Sequence, residues 1–218
     1  MKFASSIVLV FTLAAGTLLV AQGQANRPLS PDGIASVHVQ GQWVKTERQN
    51  FTLGGERYQG GTWIDITYGR PLLRGREAFT GTGADYGKAA YADAPVWRAG
   101  ANLSTRLKNS VPLVIGTTTV PAGEYSLFIE FKNPKEWTFI VSNWAQAQRF
   151  GAPITEGLYG AFGYTPEKDV TRAPMRVDAL PYKVEQLTWE FVDMTADGGR
   201  MAVLWDKTVA SVPFTFGR

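Results

Sequence analysis

The sequence contains no cysteine and only one histidine, and these two shortages exclude several kinds of site. Without cysteine the chain cannot form a disulfide, a catalytic thiolate or a thiolate metal site. His38 alone would have to serve any Ser-His-Asp arrangement, and no GxSxG motif accompanies it. Zinc sites need three or four His, Cys or carboxylate ligands. We therefore predict a domain with no catalytic residue, no metal and no cofactor.

Only the N-terminus carries a long apolar run. Lys2 precedes an uncharged stretch over residues 3–21, and small residues follow up to Ala25. This layout predicts a secretory signal peptide over residues 1–25, cleaved after Ala25 or alternatively after Ala21. An uncleaved anchor is the open alternative, because about 20 apolar residues can span a bilayer. We expect export to the periplasm or the medium, with no membrane span once the signal is removed.

Charge is nearly balanced over the whole chain but not along it. The formal net charge is +3, whereas residues 68–108 contain seven basic and three acidic side chains. A net charge this small in an exported protein argues against binding to nucleic acid. The local surplus marks residues 68–108 as a segment where an anionic partner would be recognised.

Glycine and aromatic residues are abundant, and the apolar pattern has the period of strands. Residues 62–68 alternate, and residues 125–131 and 137–143 form a predicted hairpin around a polar four-residue turn. We count eight or nine strands and no long amphipathic helix. The predicted fold is all-β, a single antiparallel β-sandwich or jelly-roll-like domain with two long irregular loops, over residues 69–95 and 144–170.

The domain boundaries follow from the same pattern. After the signal peptide, residues 26–57 are predicted to hold a leader, flexible over residues 26–36, and a first strand. Residues 58–218 are predicted to form the β-sandwich domain. Within it, four large side chains are expected to share one core: Leu127, Trp137, Trp189 and Trp205.

Several short motifs resemble one known family. They are Tyr-Gly-Arg-Pro at 68–71, Arg-Gly-Arg at 74–76, Val-Trp-Arg-Ala-Gly-Ala-Asn at 96–102, Val-Pro-Ala-Gly-Glu-Tyr-Ser-Leu-Phe at 120–128, and Trp205 ahead of 209–213. In order and spacing over roughly residues 58–216 they resemble the bacterial domain-of-unknown-function 2911 family. Two segments, residues 78–95 and 144–163, look longer than the family pattern. The resemblance implies an exported β-domain, typical of Gram-negative bacteria, and supplies no activity.

The candidate ligand-binding residues are basic and polar. They lie in the two most family-like segments and are Arg70, Arg74, Arg76, Trp97, Arg98 and Asn102. An arginine binds carboxylate or phosphate through a planar two-pronged fork, and an adjacent indole can stack on it or on a sugar ring. These residues predict a site for a small anionic or carbohydrate ligand. The structural alternative is that Arg70 and Arg98 pair with nearby carboxylates and hold the long loop in place.

Three functions follow from this sequence. The first is a binding or accessory module with an anion or glycan site in the arginine-rich segment 69–102. The second is a structural subunit that docks on an envelope or extracellular protein partner. The third is a carboxylate-based glycoside hydrolase, which needs two carboxylates at a set separation. No spacing among the 19 acidic residues selects such a pair.

Overall fold

Alternating apolar residues form the strands of this protein. The computed structural model describes residues 28–45 and 55–217. In the strand predicted at residues 62–68, Ile64, Ile66 and Tyr68 are buried while the residues between them are more exposed. This is the pattern expected when successive side chains point to opposite faces. The predicted signal peptide over residues 1–25 lies outside the described residues.

Strands account for most of the described chain. They are β1 (Asp32–Val39), β2 (Gln42–Lys45), β3 (Glu56–Gln59), β4 (Thr62–Gly69), β5 (Thr105–Asn109), β6 (Leu113–Ile115), β7 (Thr118–Val120), β8 (Gly123–Asn133), β9 (Glu136–Ser142), β10 (Asp169–Val192) and β11 (Gly198–Phe216). One short helix, α1 (Lys88–Tyr91), and three 3₁₀ turns complete the elements. No helix in the described part of the chain is both long and apolar enough to cross a bilayer.

Nine of the strands form one antiparallel sheet. Their order is β1-β4-β5-β8-β9-β10-β11-β6-β7, and β2 pairs with β3 in a separate hairpin. The predicted all-β, antiparallel class is therefore confirmed. The predicted hairpin is confirmed as well, since β8 pairs with β9 from Ser126 opposite Ser142 to Phe131 opposite Trp137.

Two long strands fold this sheet around its core. β10 pairs with β9 through its first part and with β11 through its second part, and each ladder contains register shifts. As a result, residues from distant strands, such as Ile66 on β4 and Val212 on β11, belong to one buried cluster. That cluster includes all four side chains predicted to share the core: Leu127, Trp137, Trp189 and Trp205.

The first long irregular loop is packed rather than loose. Phe79 reaches the core and makes edge contacts with Trp97, Phe131, Trp137 and Trp205 at centroid distances of 4.7–6.0 Å. Trp97 and Trp205 stack with planes 7° apart. The loop over residues 69–95 therefore covers one end of the aromatic core and contributes to its stability.

The second loop covers the opposite face of the β8–β9 hairpin. Phe128 and Ile140 point away from the main core and form a second buried cluster. The loop supplies Trp144, Leu158 and Tyr164 to the same cluster. Both faces of this hairpin are consequently buried, which makes it the central element of the described structure.

Two sequence predictions need correction. Residues 32–36, predicted to belong to a flexible leader, are part of β1, which pairs along its whole length with β4. The described part of the chain contains eleven strands rather than eight or nine. Backbone pairing with β4 orders these residues as a strand, although the weak apolar pattern of β1 did not indicate one.

Candidate functional site

Two of the six predicted site residues, Trp97 and Arg76, have side chains that are engaged within the chain itself. Trp97 is only 1% exposed and lies in the aromatic core. The Arg76 side chain folds back on its own turn, donating from Nε to the Leu73 carbonyl at 3.0 Å and from Nη2 to the Leu72 carbonyl at 2.9 Å. The structure thus places the Trp97 indole where a surface ligand cannot reach it.

Arg98 and Asn102 are brought together beneath the second loop. Arg98 is 8% exposed and donates from Nη1 to the Asn102 carbonyl at 2.7 Å. Its guanidinium also lies 5.2 Å from the centre of the Phe162 ring. Burial lowers the pKa of the Arg98 guanidinium. A Cβ at Gly160 would collide with this guanidinium, so the glycine is what lets the loop close over it.

The Arg70 side chain contacts β10, whereas the Arg74 side chain makes no hydrogen bond within the described residues. Arg74 is exposed, although its backbone N–H donates to Glu185. Arg70 extends from the end of β4 across Gly33 to β10. There its Nε and Nη2 lie 3.4 Å from the Leu187 carbonyl and 3.5 Å from Thr188 Oγ1. Both distances exceed the usual range for hydrogen bonds, so these contacts are weak.

Arg70 lines an open cleft of about 330 Å³. Residues 33–37 of β1 form one wall, residues 188–191 of β10 form the other, and Tyr68 and Arg70 complete the lining. The Tyr68 hydroxyl accepts a hydrogen bond of 3.0 Å from the Trp189 backbone N–H, which ties β4 to β10 at the cleft.

Small residues on β1 leave this space open. The inward positions of β1 next to the cleft are Gly33 and Ala35, whose side chains cannot fill the gap to β10. A Cβ at Gly33 would also collide with the Arg70 side chain. The sequence of β1 therefore creates the cleft and lets Arg70 enter it.

Neither Arg70 nor Arg98 forms an ion pair with a carboxylate in the described part of the chain. The proposed pinning of the loop by arginine–carboxylate pairs is therefore not what the structure shows. Glu190 lines the Arg70 cleft but does not come within 4 Å of the guanidinium. Arg98 instead donates to the Asn102 carbonyl of its own segment and lies against the Phe162 ring of the second loop.

The two guanidiniums do not share a site. The side-chain contacts of Arg70 are on β1 and β10, whereas those of Arg98 are with Asn102, Gly160 and Phe162. Asn102 donates from its side chain to the Ser30 carbonyl rather than into the cleft. Of the six predicted residues, only Arg70 lines the cleft described above.

Sequence reasoning missed the rest of the cleft. Ser36 and Thr188 supply hydroxyls beside Arg70, from strands far apart in the sequence. No local motif connects them with Arg70. The Tyr-Gly-Arg-Pro motif was the only signal in the sequence that pointed to this place.

Tyr164 belongs to a second polar cluster, outside the cleft. Its hydroxyl donates to Asp169 Oδ2 at 2.6 Å, and Arg172 donates to both groups and to Glu130. Burial and the hydrogen bond to Asp169 raise the pKa of Tyr164 above that of a free tyrosine. The cluster ties the end of the second loop to β10.

We expect Tyr164→Phe to lower the free energy of unfolding by about 1–2 kcal/mol at neutral pH, because the Asp169 carboxylate loses a hydrogen bond. Unfolded tyrosine loses its proton near pH 10, whereas folded Tyr164 resists ionisation. Wild-type stability therefore falls above about pH 10 relative to the variant, and the difference narrows. Urea unfolding of both proteins at pH 7 and about pH 10.5 measures it. A difference that widens at high pH would contradict this assignment.

No group of three or more His, Asp or Glu side chains suited to a metal ion occurs among residues 28–45 and 55–217. The glycoside hydrolase alternative needs two carboxylates, and the lining of the Arg70 cleft contains one, Glu190. The cleft therefore offers one cation, one carboxylate, the hydroxyls of Ser36, Tyr68 and Thr188, and the backbone of two strands.

Comparison with known proteins adds a family but no activity. No curated protein matches the sequence, and no solved structure matches it. A family model described as "Protein of unknown function (DUF2911)" matches residues 51–214, which include every strand from β3 to β10 and most of β11. The chain therefore belongs to the DUF2911 family.

Proposed function

We propose that this protein is an exported, non-catalytic binding module whose ligand carries an anionic group, and that Arg70 is the anchor of its site. One observation carries the proposal. The Arg70 guanidinium lies in an open cleft with two weak contacts and no carboxylate partner among the described residues. A cation held in this way retains donors for a ligand.

The chemistry of the cleft favours carboxylate or phosphate. A guanidinium presents parallel N–H groups that match two oxygens of either anion. The hydroxyls of Ser36 and Thr188 line the same cleft and can donate to further oxygens, although Ser36 now donates to Asp65 at 2.5 Å. Glu190 disfavours ligands with high negative charge, so a single anionic group is the better fit.

Export is supported by the apolar run over residues 3–21 and the small residues that follow it. The docking alternative has its own support in the second loop, where Phe150 and Ile154 are exposed and Phe150 contacts the rings of Tyr159 and Phe162. Exposed apolar clusters of this kind occur at protein interfaces. A docking surface there and an anion site at Arg70 are compatible, because they share no residue.

We expect Arg70→Ala to weaken anion binding by about tenfold or more, because a charge-assisted, two-pronged hydrogen bond is lost. The probes are acetate, succinate and inorganic phosphate, with glucose as an uncharged comparison, measured by thermal shift and calorimetry on the purified protein. Without ligand, the variant should melt within about 2 °C of wild type, because the contacts of Arg70 are weak.

Arg74→Ala is the matched control, since Arg74 lies on the same segment and its exposed side chain makes no hydrogen bond within the described residues. It should bind the same anions with wild-type affinity. Equal anion binding by wild type and Arg70→Ala would reject the proposed site. Binding of glucose with no anion effect would favour the glycan alternative instead.

A further inference from the structure

The outer edge of β1 runs along the Arg70 cleft, and its backbone groups make no hydrogen bond within residues 28–45 and 55–217. The Arg70 N–H donates to the Pro31 carbonyl at 2.9 Å. With the register of β1 and β4, this bond determines which residues of β1 form hydrogen-bonded pairs with β4. Odd-numbered residues of β1 therefore bond to β4, and the N–H and C=O groups of Ile34 and Ser36 point the other way. Within the described part of the chain, β4 is the one strand that pairs with β1.

This edge lacks the features that usually protect a free strand. β1 spans eight residues without proline or lysine, and its pairing with β4 shows no register shift. Ile34 is 61% exposed although it lies in the middle of a strand edge. Proteins commonly blunt free edges with proline, lysine or bulges, because an open edge accepts another strand.

The facing strand shows that the region accepts extended chain. Residues 71–73 run beside β10, where the Leu187 N–H donates to the Pro71 carbonyl and the Leu73 N–H donates to the Glu185 carbonyl. This short pairing ends where the cleft begins. Farther along β10, the Trp189 N–H bonds to the Tyr68 hydroxyl rather than to a strand.

We infer that the ligand is an extended peptide segment of a partner protein, which adds a strand to the free edge of β1 and places a carboxylate on Arg70. The inference rests on the proposed function, because it uses the same cation. It specifies the ligand class through two features that lie side by side. Within the described residues, the outer backbone groups of β1 have no strand partner and the Arg70 guanidinium has no carboxylate partner. Main-chain hydrogen bonds supply affinity in such complexes, and side-chain pockets supply selectivity.

The charge of the cleft identifies the occupant as a partner rather than a second copy. The one carboxylate of β1 is Asp32, at the beginning of the strand. In an antiparallel pair of two β1 strands, the Asp32 of one copy would lie near the end of the β1 of the other copy. Arg70 crosses β1 at Gly33, next to Asp32 of its own chain and not of the other. A partner peptide can place an acidic side chain, or its own C-terminal carboxylate, directly at Arg70.

The test uses eight-residue peptides of alternating Val and Thr, labelled with a fluorophore, in which one Glu is moved along the sequence. Each is made with a free C-terminus and with a C-terminal amide, with Gln in place of Glu, and with N-methyl groups on alternate backbone nitrogens. Fluorescence anisotropy measures binding to the full chain. We expect the affinity of the tightest-binding Glu or free-acid peptide to fall about tenfold or more when Glu becomes Gln or the C-terminus becomes an amide. N-methylation of the backbone should abolish its binding.

Two protein variants test the edge. Ile34→Pro removes an N–H that points away from β4, so the ladder is retained while strand addition is blocked. Ile34→Lys blunts the edge without changing the backbone. Both should abolish peptide binding. Val44→Lys, an exposed apolar residue on β2 of the separate hairpin, is the matched control and should bind peptide normally.

The outcomes separate the two proposals. Equal binding of N-methylated peptides, normal binding by both Ile34 variants, or no binding by any peptide overturns strand addition. The anion site at Arg70 stands in each of these cases if small anions still require Arg70. Loss of a dimer in Ile34→Lys, with no peptide effect, assigns the edge to a second copy and also overturns the inference. Unchanged binding of both anions and peptides by Arg70→Ala rejects both proposals.

Discussion

Trp97→Ala should lower the free energy of unfolding by about 3–5 kcal/mol, the range for truncating a large buried aromatic side chain. Trp97 is 1% exposed and stacks on Trp205 at a centroid distance of 6.1 Å. It also contacts Phe79, which brings the first long loop onto the core. Removing the indole therefore leaves a cavity beneath that loop. Urea unfolding followed by far-UV circular dichroism measures the loss.

Trp43→Ala is the control for this experiment, because Trp43 is 69% exposed. Its unfolding free energy should stay within about 0.5 kcal/mol of wild type. A loss below about 1 kcal/mol for Trp97→Ala would mean that the indole is accessible after all. In that case Trp97 would return as a stacking residue for a ligand.

Arg106→Ala should lower the free energy of unfolding by about 2–3 kcal/mol, because Ser126 and Trp144 lose hydrogen bonds to a charged, largely buried donor. Arg106 donates from Nη1 to Ser126 Oγ at 2.6 Å and to the Trp144 carbonyl at 3.0 Å. Its Nε lies 3.3 Å from Glu124. The side chain thus joins β5, β8 and the start of the second loop. Burial lowers the pKa of this guanidinium, and Glu124 partly offsets the effect.

Arg149→Ala is the matched control for Arg106, since Arg149 is exposed and forms an ion pair with Glu156 at 3.6 Å. Exposed pairs of this kind contribute little, so the change should be below about 0.5 kcal/mol. Arg106→Met separates the two contributions of the side chain, because it keeps the apolar stem and removes the donors. If Arg106→Ala and Arg149→Ala lose the same stability, the hydrogen bonds to Ser126 and Trp144 contribute nothing.

The sequence predicted the central hairpin well because its signal is local. One face of β8 and β9 carries apolar residues at every second position on either side of a short turn, so the pairing partners are close in the sequence. β10 was harder to recognise as one strand, because Pro174 and Pro181 interrupt its pattern. Pro181 lies within a register shift of the β10–β11 ladder, whereas Pro174 stands opposite Thr138 on β9 in continuous register.

Only Arg70 of the candidate site could be predicted from the sequence, because the motifs describe neighbouring residues and the site combines distant strands. Trp97 and Arg98 are adjacent in the sequence, and adjacent residues in extended chain point to opposite sides. Trp97 bridges to Ile129 and enters the main core, while Arg98 faces the second cluster at Phe162. The motif therefore could not supply a joint site. The Arg70 cleft depends on β1 and β10, which come together only through tertiary folding.

The division of β10 between two neighbours has a consequence for how the protein unfolds. Its first part completes the ladder to β9 and its second part completes the ladder to β11, so neither side of the sheet can separate without breaking the same strand. Unfolding should consequently be a single cooperative transition. The pairing of Phe216 with Leu113 joins positions about a hundred residues apart. Such distant pairings carry a large loop-closure entropy, so we expect the chain to fold slowly for its size, with the β8–β9 hairpin formed before the sheet closes.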